Sequence, residues 1–378
     1  MSINSFVTRL GRLDWKDLSL SLAILVLIFE RIYTPATTYT GFYNRQILTC
    51  LCLLALLSFF WLKKPKKWTP SDTNTFAVML PTCFYIACWG MDFQSLLYAL
   101  MLAVVFFWHD LTLTYPRFFF GTIIAVGAAM AVWQHTQGVI RVTGFLVGSP
   151  TLFSFMLLLA SAYFVLTSSS WWTFAILAIS GLAIFWSETR STLGLLGLLG
   201  LYYLVKLVNA SNVFKKVWYF PVILLVFGLI GAILLWGPTH GFQLRANGYQ
   251  STQTRTDIIW YFIQLLVTYP KTLFMGMGGG LTPYIVPQLL PYIKSNYYPL
   301  HQDLVMWVTE YGLIGTLALL NGIRLVNRRM RLSHLSLLSI TLLFIVGTFH
   351  NIFIYPMGIV LLKLVYNSVY AKESKNDA

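Results

Sequence analysis

Apolar runs long enough to cross a lipid bilayer recur along almost the whole chain. A helix that spans the hydrocarbon core needs about 20 mostly apolar residues and satisfies all of its backbone hydrogen bonds internally. Only 10% of the residues are charged, whereas an ordinary soluble domain carries about 25%. The sequence therefore predicts an all-α polytopic membrane protein in which residues 1–378 form a single integral membrane domain.

The apolar runs predict about 12 transmembrane helices. They lie at 18–34, 43–62, 74–90, 92–108, 117–134, 150–167, 171–187, 190–208, 218–237, 301–322, 335–350 and 351–370. The connections between them are short except for residues 238–300. The first run lacks a small-residue cleavage site, so we expect it to be retained as a helix.

Basic residues indicate the orientation, because lysine and arginine concentrate in the cytoplasmic loops of membrane proteins. With the N-terminus inside and the spans alternating, 18 of the 26 basic residues fall on the cytoplasmic side and eight fall outside. Both termini are therefore predicted to be cytoplasmic, with 238–300 facing the periplasm. The net charge of +14 is then explained by contact with anionic membrane lipids. No basic stripe of the kind that binds nucleic acid is present.

The long outer loop has a pattern of its own. Residues 256–269 are predicted to form an amphipathic helix that has Arg255 at its head and ends at Pro270. The sequence GMGGG follows at 276–280 without the Lys-Ser/Thr of a nucleotide-binding loop. We expect a tight turn after a helix there, and a loop of this length can close over a cavity as a lid.

Three ionisable residues are predicted on the same side of the membrane as this loop: Arg190, Arg255 and His301. Charge at membrane depth is costly and usually faces the protein interior. A guanidinium suits a pyrophosphate, because it binds two oxygen atoms at once and keeps its charge. An imidazole accepts a proton near neutral pH. The set predicts a site that holds a pyrophosphate through Arg190 and Arg255 and deprotonates an alcohol through His301.

Four further residues are accessory candidates, each with a plainer structural interpretation. Arg245 and Arg141 are also explained as solvated arginines, and His350 as a packing histidine. Glu310 follows His301 by nine residues, so helix geometry places it on the opposite face and about 13 Å deeper. We therefore expect Glu310 mainly to pack through a buried hydrogen bond. The cysteines fall in predicted spans without metal-site spacing, and neither a metal nor a cofactor is expected.

Three segments of the chain form a recognisable set through their order and spacing. They are SETRSTLG at 187–194, RTDIIW at 255–260 with YP at 269–270 and GMG at 276–278, and HQDL at 301–304 with EYGLIG at 310–315. Together they resemble the bacterial O-antigen ligase and polysaccharide polymerase superfamily. The chain departs from that pattern at Gln302, where asparagine is common, and at Glu188, where a neutral residue is usual.

This resemblance implies a donor glycan on an undecaprenyl-pyrophosphate carrier in the bacterial cytoplasmic (inner) membrane. Arg190 and Arg255 would stabilise the leaving pyrophosphate, and His301 would take the proton of the acceptor hydroxyl in an inverting, metal-independent transfer. Lipid A-core as acceptor would make the chain an O-antigen ligase of lipopolysaccharide synthesis. A carrier-linked repeat unit would make it a polymerase, and a protein an O-oligosaccharyltransferase. A transporter or flippase of lipid-linked sugars is the alternative from another class.

Overall fold

The computed structural model describes residues 15–29, 113–146, 149–210, 248–289, 302–328, 333–348 and 356–376, with isolated positions at 32, 51, 52 and 55. The regular elements within these ranges are α-helices, and no β-strand occurs among them. They are α1 (Trp15–Ile28), α2 (Pro116–Thr136), α3 (Pro150–Thr167), α4 (Trp172–Trp186), α5 (Arg190–Ala210), α6 (Gly248–Thr268), α7 (Pro270–Met275), α8 (Thr282–Leu289), α9 (Asp303–Arg328), α10 (His334–Thr348) and α11 (Pro356–Asn376). The all-α expectation is confirmed for this part of the chain.

Helix α3 is the centre of the first group of helices. It is apolar on every side, and its residues from Leu152 to Thr167 are buried with the single exception of Phe164. Helices α2, α4, α5, α10 and α11 all pack against it. A helix that is hydrophobic all round belongs in such an interior position, so its sequence explains its place in the bundle.

Small polar side chains join α3 to its neighbours inside this group. The Ser161 hydroxyl donates a 2.8 Å hydrogen bond to Ser180 of α4. The Ser154 hydroxyl lies 3.3 Å from that of Thr192 in α5. Hydrogen bonds between small residues of this kind are typical of helices packed within a membrane.

Two lysines close the C-terminal end of α3. Lys206 of α5 donates to the carbonyl oxygens of Val165, Leu166 and Ser168 at 3.2, 3.1 and 2.9 Å. Lys372 of α11 donates to the carbonyl oxygen of Thr167. The last carbonyls of a helix lack partners within the helix and carry partial negative charge, so the two ammonium groups stabilise this end.

The predicted spans agree with several of the helices. Helices α2, α3, α4 and α5 lie within two residues of the predictions at 117–134, 150–167, 171–187 and 190–208. The predictions at 74–90, 92–108 and 218–237 lie outside the described residues, and so does the prediction at 43–62 except for the isolated positions 51, 52 and 55. By length and composition, α2 and α3 are the two described helices that could cross a membrane. The expected total of about 12 spans is therefore not confirmed.

A second group of helices surrounds α9. Helices α6, α7 and α8 pack against it, and α6 also contacts α7. The predicted span 301–322 begins at Asp303 and is not continuous, because Gly312 has the non-helical angles φ 67° and ψ −179°. The prediction of an uninterrupted helix was wrong here. A single glycine in a helical pattern is ordinarily tolerated, so Gly312 is not a clear signal of a break.

The long loop is more helical than predicted. Helix α6 begins at Gly248 rather than near 256, so Arg255 lies inside it and not at its head. Pro270 does not merely end that helix; it begins α7 at the first helical position, where its missing N–H has no partner to lose. The expected turn after a helix is confirmed, because Gly276 follows α7 with φ 82°.

Candidate functional site

Arg190 is the first residue of α5 and follows a tight turn at 187–189. The Ser187 hydroxyl donates 2.7 Å to the carbonyl oxygen of Ile184 and lies 3.0 Å from the Thr189 hydroxyl. Ser187 and Thr189 are buried, whereas Arg190 is half-buried. Glu188 has φ 55°, a left-handed conformation that costs about 1–2 kcal/mol for a residue with a side chain. The turn is thus a fixed structure that places Arg190 at a helix start.

The loop between α2 and α3 is held by a buried glutamine. Gln134 Oε1 accepts hydrogen bonds from the backbone amides of Thr143 and Gly144, each at 2.8 Å. Gln134 Nε2 donates 3.0 Å to the Gly144 carbonyl oxygen. Gly144 has φ 53°, and a side chain there would begin 2.0 Å from the Phe153 ring. The hydrogen bonds of Gln134 and the close packing of Gly144 against Phe153 therefore fix the path of this loop.

The same loop is fastened to the turn before Arg190. The Arg141 Nε donates a 3.1 Å hydrogen bond to the carbonyl oxygen of Ser187. The backbone amide of Val142 donates another, also 3.1 Å, to the carbonyl oxygen of Trp186. Arg141 is half-buried, so part of its side chain is covered by the protein. The structure therefore brings Arg141 to the turn that directly precedes Arg190.

The glycine-rich segment after α7 fits into the break of α9. The backbone amides of Met277 and Gly278 donate hydrogen bonds of 2.8 and 3.0 Å to the carbonyl oxygens of Thr309 and Glu310. A break frees carbonyls of the preceding helical turn, and the glycine segment satisfies two of them. Two motif segments that are separated along the sequence are therefore in direct contact.

Glycine is required on both sides of this contact. A Cβ on Gly276 would lie 2.2 Å from the carbonyl oxygen of Glu310, and one on Gly312 would lie 2.2 Å from that of Phe274. Both residues have a positive φ, which residues with a side chain rarely adopt. The two backbones pack so closely that neither position has room for a side chain.

Glu310 is buried and binds the start of α8. Its Oε1 accepts a 2.5 Å hydrogen bond from the Thr282 hydroxyl and a 3.2 Å hydrogen bond from the Thr282 amide. A carboxylate beside the first amides of a helix is favoured by their partial positive charge. The buried hydrogen bond predicted for Glu310 is confirmed, and its partner is the segment that follows the glycines.

Gln302 caps the helix that follows His301. Its Oε1 accepts a 2.8 Å hydrogen bond from the Val305 amide, and the carbonyl oxygen of Gln302 accepts a 3.0 Å hydrogen bond from Met306. This is the arrangement of an N-cap side chain. Gln302 and Asp303 are both buried. The chain is thus anchored at the residue directly after His301.

Arg255 occupies a defined register in α6. Among residues 257–268, the part of this helix whose side chains are described, Ile258, Phe262 and Leu266 are buried. Their spacing of four residues places them on one face, and Arg255 precedes Ile258 by three positions. The buried stripe is the side of α6 that packs in the second group, whereas Asp257 is exposed.

The remaining predicted site residues lie outside the described residues. They are His301, Arg245 and His350. The prediction that His350 ends a helix falls on the same undescribed stretch, because α10 has its last described residue at Thr348. The structure therefore positions Arg190, Arg141, Glu310 and the backbone of Arg255 among the predicted set.

Four residues were missed or undervalued from the sequence: Gln134 and Arg141, which hold the loop at the turn before Arg190, and Thr282 and Gln302, which contact or cap α9. A buried glutamine at a helix end and a threonine at a helix start carry no distinctive pattern of their own. Gln302 carried a recognisable signal, because a polar residue directly before a helix is an N-cap candidate. No local pattern indicates that Arg141 contacts Ser187, because the two residues are 46 positions apart along the chain.

Searches against protein-family models, curated proteins and solved structures returned no match to this chain.

Proposed function

We propose that the chain is a multi-pass membrane glycosyltransferase of the O-antigen ligase type. It transfers a glycan from an undecaprenyl-pyrophosphate carrier to an acceptor hydroxyl on the outer side of the bacterial cytoplasmic membrane. The acceptor that we favour is lipid A-core, and a polymerase or a protein O-oligosaccharyltransferase would differ only in that acceptor. Two apolar helices of sufficient length support the membrane setting.

The observation that carries the proposal is the contact between the glycine segment and the broken helix α9. Residues 276–278 and 310–315 belong to the segments on which the resemblance rests, and the amide of Gly278 donates to the carbonyl oxygen of Glu310. A shared site explains why two such segments, far apart along the chain, are folded against each other. Residues 277 and 278 therefore lie beside α9, the helix that follows His301.

In the proposed reaction a bond forms between the acceptor oxygen and the anomeric carbon of the donor sugar. The bond from that carbon to the pyrophosphate oxygen breaks, and its electron pair leaves with the pyrophosphate. His301 takes the proton of the acceptor hydroxyl. Arg190 and Arg255 stabilise the charge that develops on the leaving group. Attack opposite the leaving group inverts the anomeric configuration.

The decisive experiment supplies purified protein in proteoliposomes with a labelled undecaprenyl-pyrophosphate glycan and three acceptors in separate arms: lipid A-core, a second carrier-linked glycan, and a protein. We expect label in the lipid A-core arm and release of undecaprenyl pyrophosphate. Arg190→Ala and Arg255→Ala should each lower transfer by about 100- to 1000-fold, the order expected for one lost electrostatic contact at a developing charge. Full activity of both variants would overturn the pyrophosphate assignment.

A flippase of lipid-linked sugars is the second candidate, favoured by two particular observations. Helix α9 is broken next to the buried Glu310, and α11 carries the buried Lys363 with its ammonium 5.2 Å from the Tyr366 ring centre. Broken helices and intramembrane charges are common in transporters. Movement of the labelled donor between leaflets without any transfer to an acceptor would select this candidate instead.

A further inference from the structure

We infer that Gln134 and Arg141 are positioning residues of the donor site, which hold the turn at 187–189 from which Arg190 enters α5. Neither side chain needs to touch the donor, because both act on the backbone that carries Arg190. This inference rests on the proposed function, and it assigns a role to two residues that lie outside the three segments of the resemblance.

The turn at 187–189 needs support from outside itself. Glu188 has φ 55°, and it is the one residue other than glycine with a positive φ in the described part of the chain. A residue with a side chain adopts this conformation at a cost in free energy, so it persists only where the surrounding structure enforces it. Strained residues of this kind concentrate at functional sites, and Arg190 follows Glu188 by two positions.

The end of α2 and the loop after it provide this support at three points. The His135 ring stacks on the Trp186 ring with 4.4 Å between the ring centroids. The Val142 amide donates a 3.1 Å hydrogen bond to the carbonyl oxygen of Trp186, and the Arg141 Nε donates one of 3.1 Å to that of Ser187. These contacts act on the two residues directly before the strained position, so they hold the turn where the chain leaves α4.

Gln134 sets the direction from which the loop reaches the turn. Its buried side chain makes three hydrogen bonds to the backbone of Thr143 and Gly144, two as an acceptor and one as a donor. Both partners lie within three residues of Arg141. Without these bonds the two amides and the carbonyl oxygen would have to find other partners, and the loop would move away from the turn that it supports.

The geometry of the turn matters to a donor site for a physical reason. A guanidinium that binds two phosphate oxygen atoms at once requires a fixed direction as well as a charge. A displacement of about 1 Å at a positioning group is enough to lower activity substantially. A turn that is released from its supported conformation changes the direction in which α5 begins, and Arg190 is the first residue of that helix.

The experiment measures the binding of farnesyl pyrophosphate, a soluble short-chain probe, to the purified full-length protein. Gln134→Leu removes the three bonds to the loop, and Arg141→Ala removes the side-chain contact with Ser187. Each change is made alone and together with Arg190→Gln, so that a double-mutant cycle isolates the effect that acts through Arg190. Gln137→Leu is the matched control, because it makes the same change at an exposed glutamine three residues further along the chain.

We expect Arg190→Gln to raise the Kd for farnesyl pyrophosphate by roughly 10- to 100-fold, the value of one charge-assisted hydrogen bond. Gln134→Leu and Arg141→Ala should each raise it by roughly 3- to 10-fold when Arg190 is present, because the guanidinium is displaced but not removed. With Arg190→Gln present, each should change the Kd by less than about twofold. Gln137→Leu should match the wild type.

A merely structural role of the two residues predicts a different result. A general loss of stability would lower the Tm in detergent and raise the Kd by the same factor with and without Arg190. Equal factors in the two backgrounds would therefore overturn the inference. Arg141→Ala leaves the hydrogen bonds of Gln134 in place, so it carries this test if Gln134→Leu does not give a folded protein.

Amide hydrogen exchange provides a readout that needs no ligand, because it reports local opening of the backbone. Peptides that cover 186–190 should exchange faster in Gln134→Leu and Arg141→Ala than in the wild type, whereas peptides from α10 should not. Unchanged exchange at 186–190 in both variants would show that the loop does not hold the turn and would overturn the inference.

The strain at Glu188 provides a further comparison. Glu188→Ala and Glu188→Gly remove the same carboxylate, but only glycine adopts a positive φ without cost. In the Gln134→Leu background, Glu188→Gly should bind farnesyl pyrophosphate more tightly than Glu188→Ala, because the turn then depends less on its support. Equal affinities of these two double variants would contradict the inference.

The outcomes separate this inference from the proposed function. If the wild type binds the probe and Arg190→Gln weakens binding, but Gln134→Leu and Arg141→Ala do not, the inference fails and the proposed function stands. If the wild type neither binds farnesyl pyrophosphate nor transfers glycan, the proposed function fails and the inference fails with it.

Discussion

The hydroxyl of Thr282 donates a 2.5 Å hydrogen bond to the buried carboxylate of Glu310. Glu310 lies two residues before the break of α9, and Thr282 is the first residue of α8. The bond therefore ties the segment after the glycines to the point at which α9 changes direction. Together with the amides of Met277 and Gly278, it holds the loop against α9.

Removing this carboxylate should loosen the loop. Glu310→Ala leaves the amide and hydroxyl of Thr282 without their carboxylate acceptor, which costs about 1–3 kcal/mol when the donor stays buried. We expect the Tm in detergent to fall by several degrees and cleavage by protease within 276–289 to accelerate. Asp257→Ala removes an acidic side chain that is exposed on α6 and is the matched control. Equal effects of the two variants would contradict the role assigned to Glu310.

The glycine contact makes a sharper prediction. Gly276→Ala and Gly312→Ala each place a methyl group 2.2 Å from a backbone carbonyl oxygen at a residue with positive φ. We expect each variant to lose the packing of residues 276–278 against α9 and to lose most of its transfer activity. Gly197→Ala is the control, because nothing lies within 4 Å of its added Cβ on α5; it should be neutral or stabilising by up to about 1 kcal/mol. Wild-type transfer by Gly276→Ala would disprove the close contact.

Gln302 should act on His301 through the helix start. Gln302→Asn keeps a side chain that can cap the helix, whereas Gln302→Leu leaves the half-buried Val305 amide without its acceptor. We expect Gln302→Leu to lower kcat for transfer several-fold and to leave the KM for the donor unchanged, because only the position of the base is disturbed. Gln264→Leu, at an exposed site on α6, provides the comparison. A rise in donor KM with constant kcat would argue against a positioning role.

Part of this architecture could be read from the sequence and part could not. Helix α3 was predicted with its correct bounds, because a segment that is apolar on every side has few alternatives. The turn after α7 was predicted from its glycines. The break at Gly312 was not, because it depends on the approach of Gly276 from another segment. Local pattern describes a helix well, but it does not show which backbone will pack against it.

The same distinction applies to the site. Arg190 was a candidate from its place between two apolar helices, and Glu310 was correctly assigned a buried hydrogen bond by helix geometry. Arg141 was undervalued, because its position depends on the bonds of Gln134 and on the carbonyl oxygen of Ser187. Contacts of this kind join residues that no local motif connects.

The lysines at the end of α3 provide a test outside the site. Lys206→Met removes three hydrogen bonds to carbonyl oxygens at that helix end, and the loss of charge also removes a favourable interaction with the helix dipole. We expect the protein to be destabilised by roughly 1–3 kcal/mol, measured as a lower Tm in detergent. Lys271→Met, at an exposed position on α7, should leave Tm unchanged. An equal fall of Tm in both variants would contradict the capping role assigned to Lys206.

The most direct test of the proposed function is the rate of glycan transfer by His301→Ala. Wild-type and His301→Ala protein are reconstituted in parallel with the labelled undecaprenyl-pyrophosphate glycan and lipid A-core, and the initial rate is measured at neutral pH. Loss of a general base should lower the rate by about 100- to 10,000-fold and leave farnesyl pyrophosphate binding intact. Transfer by His301→Ala at the wild-type rate, or no transfer by the wild type, would contradict the account.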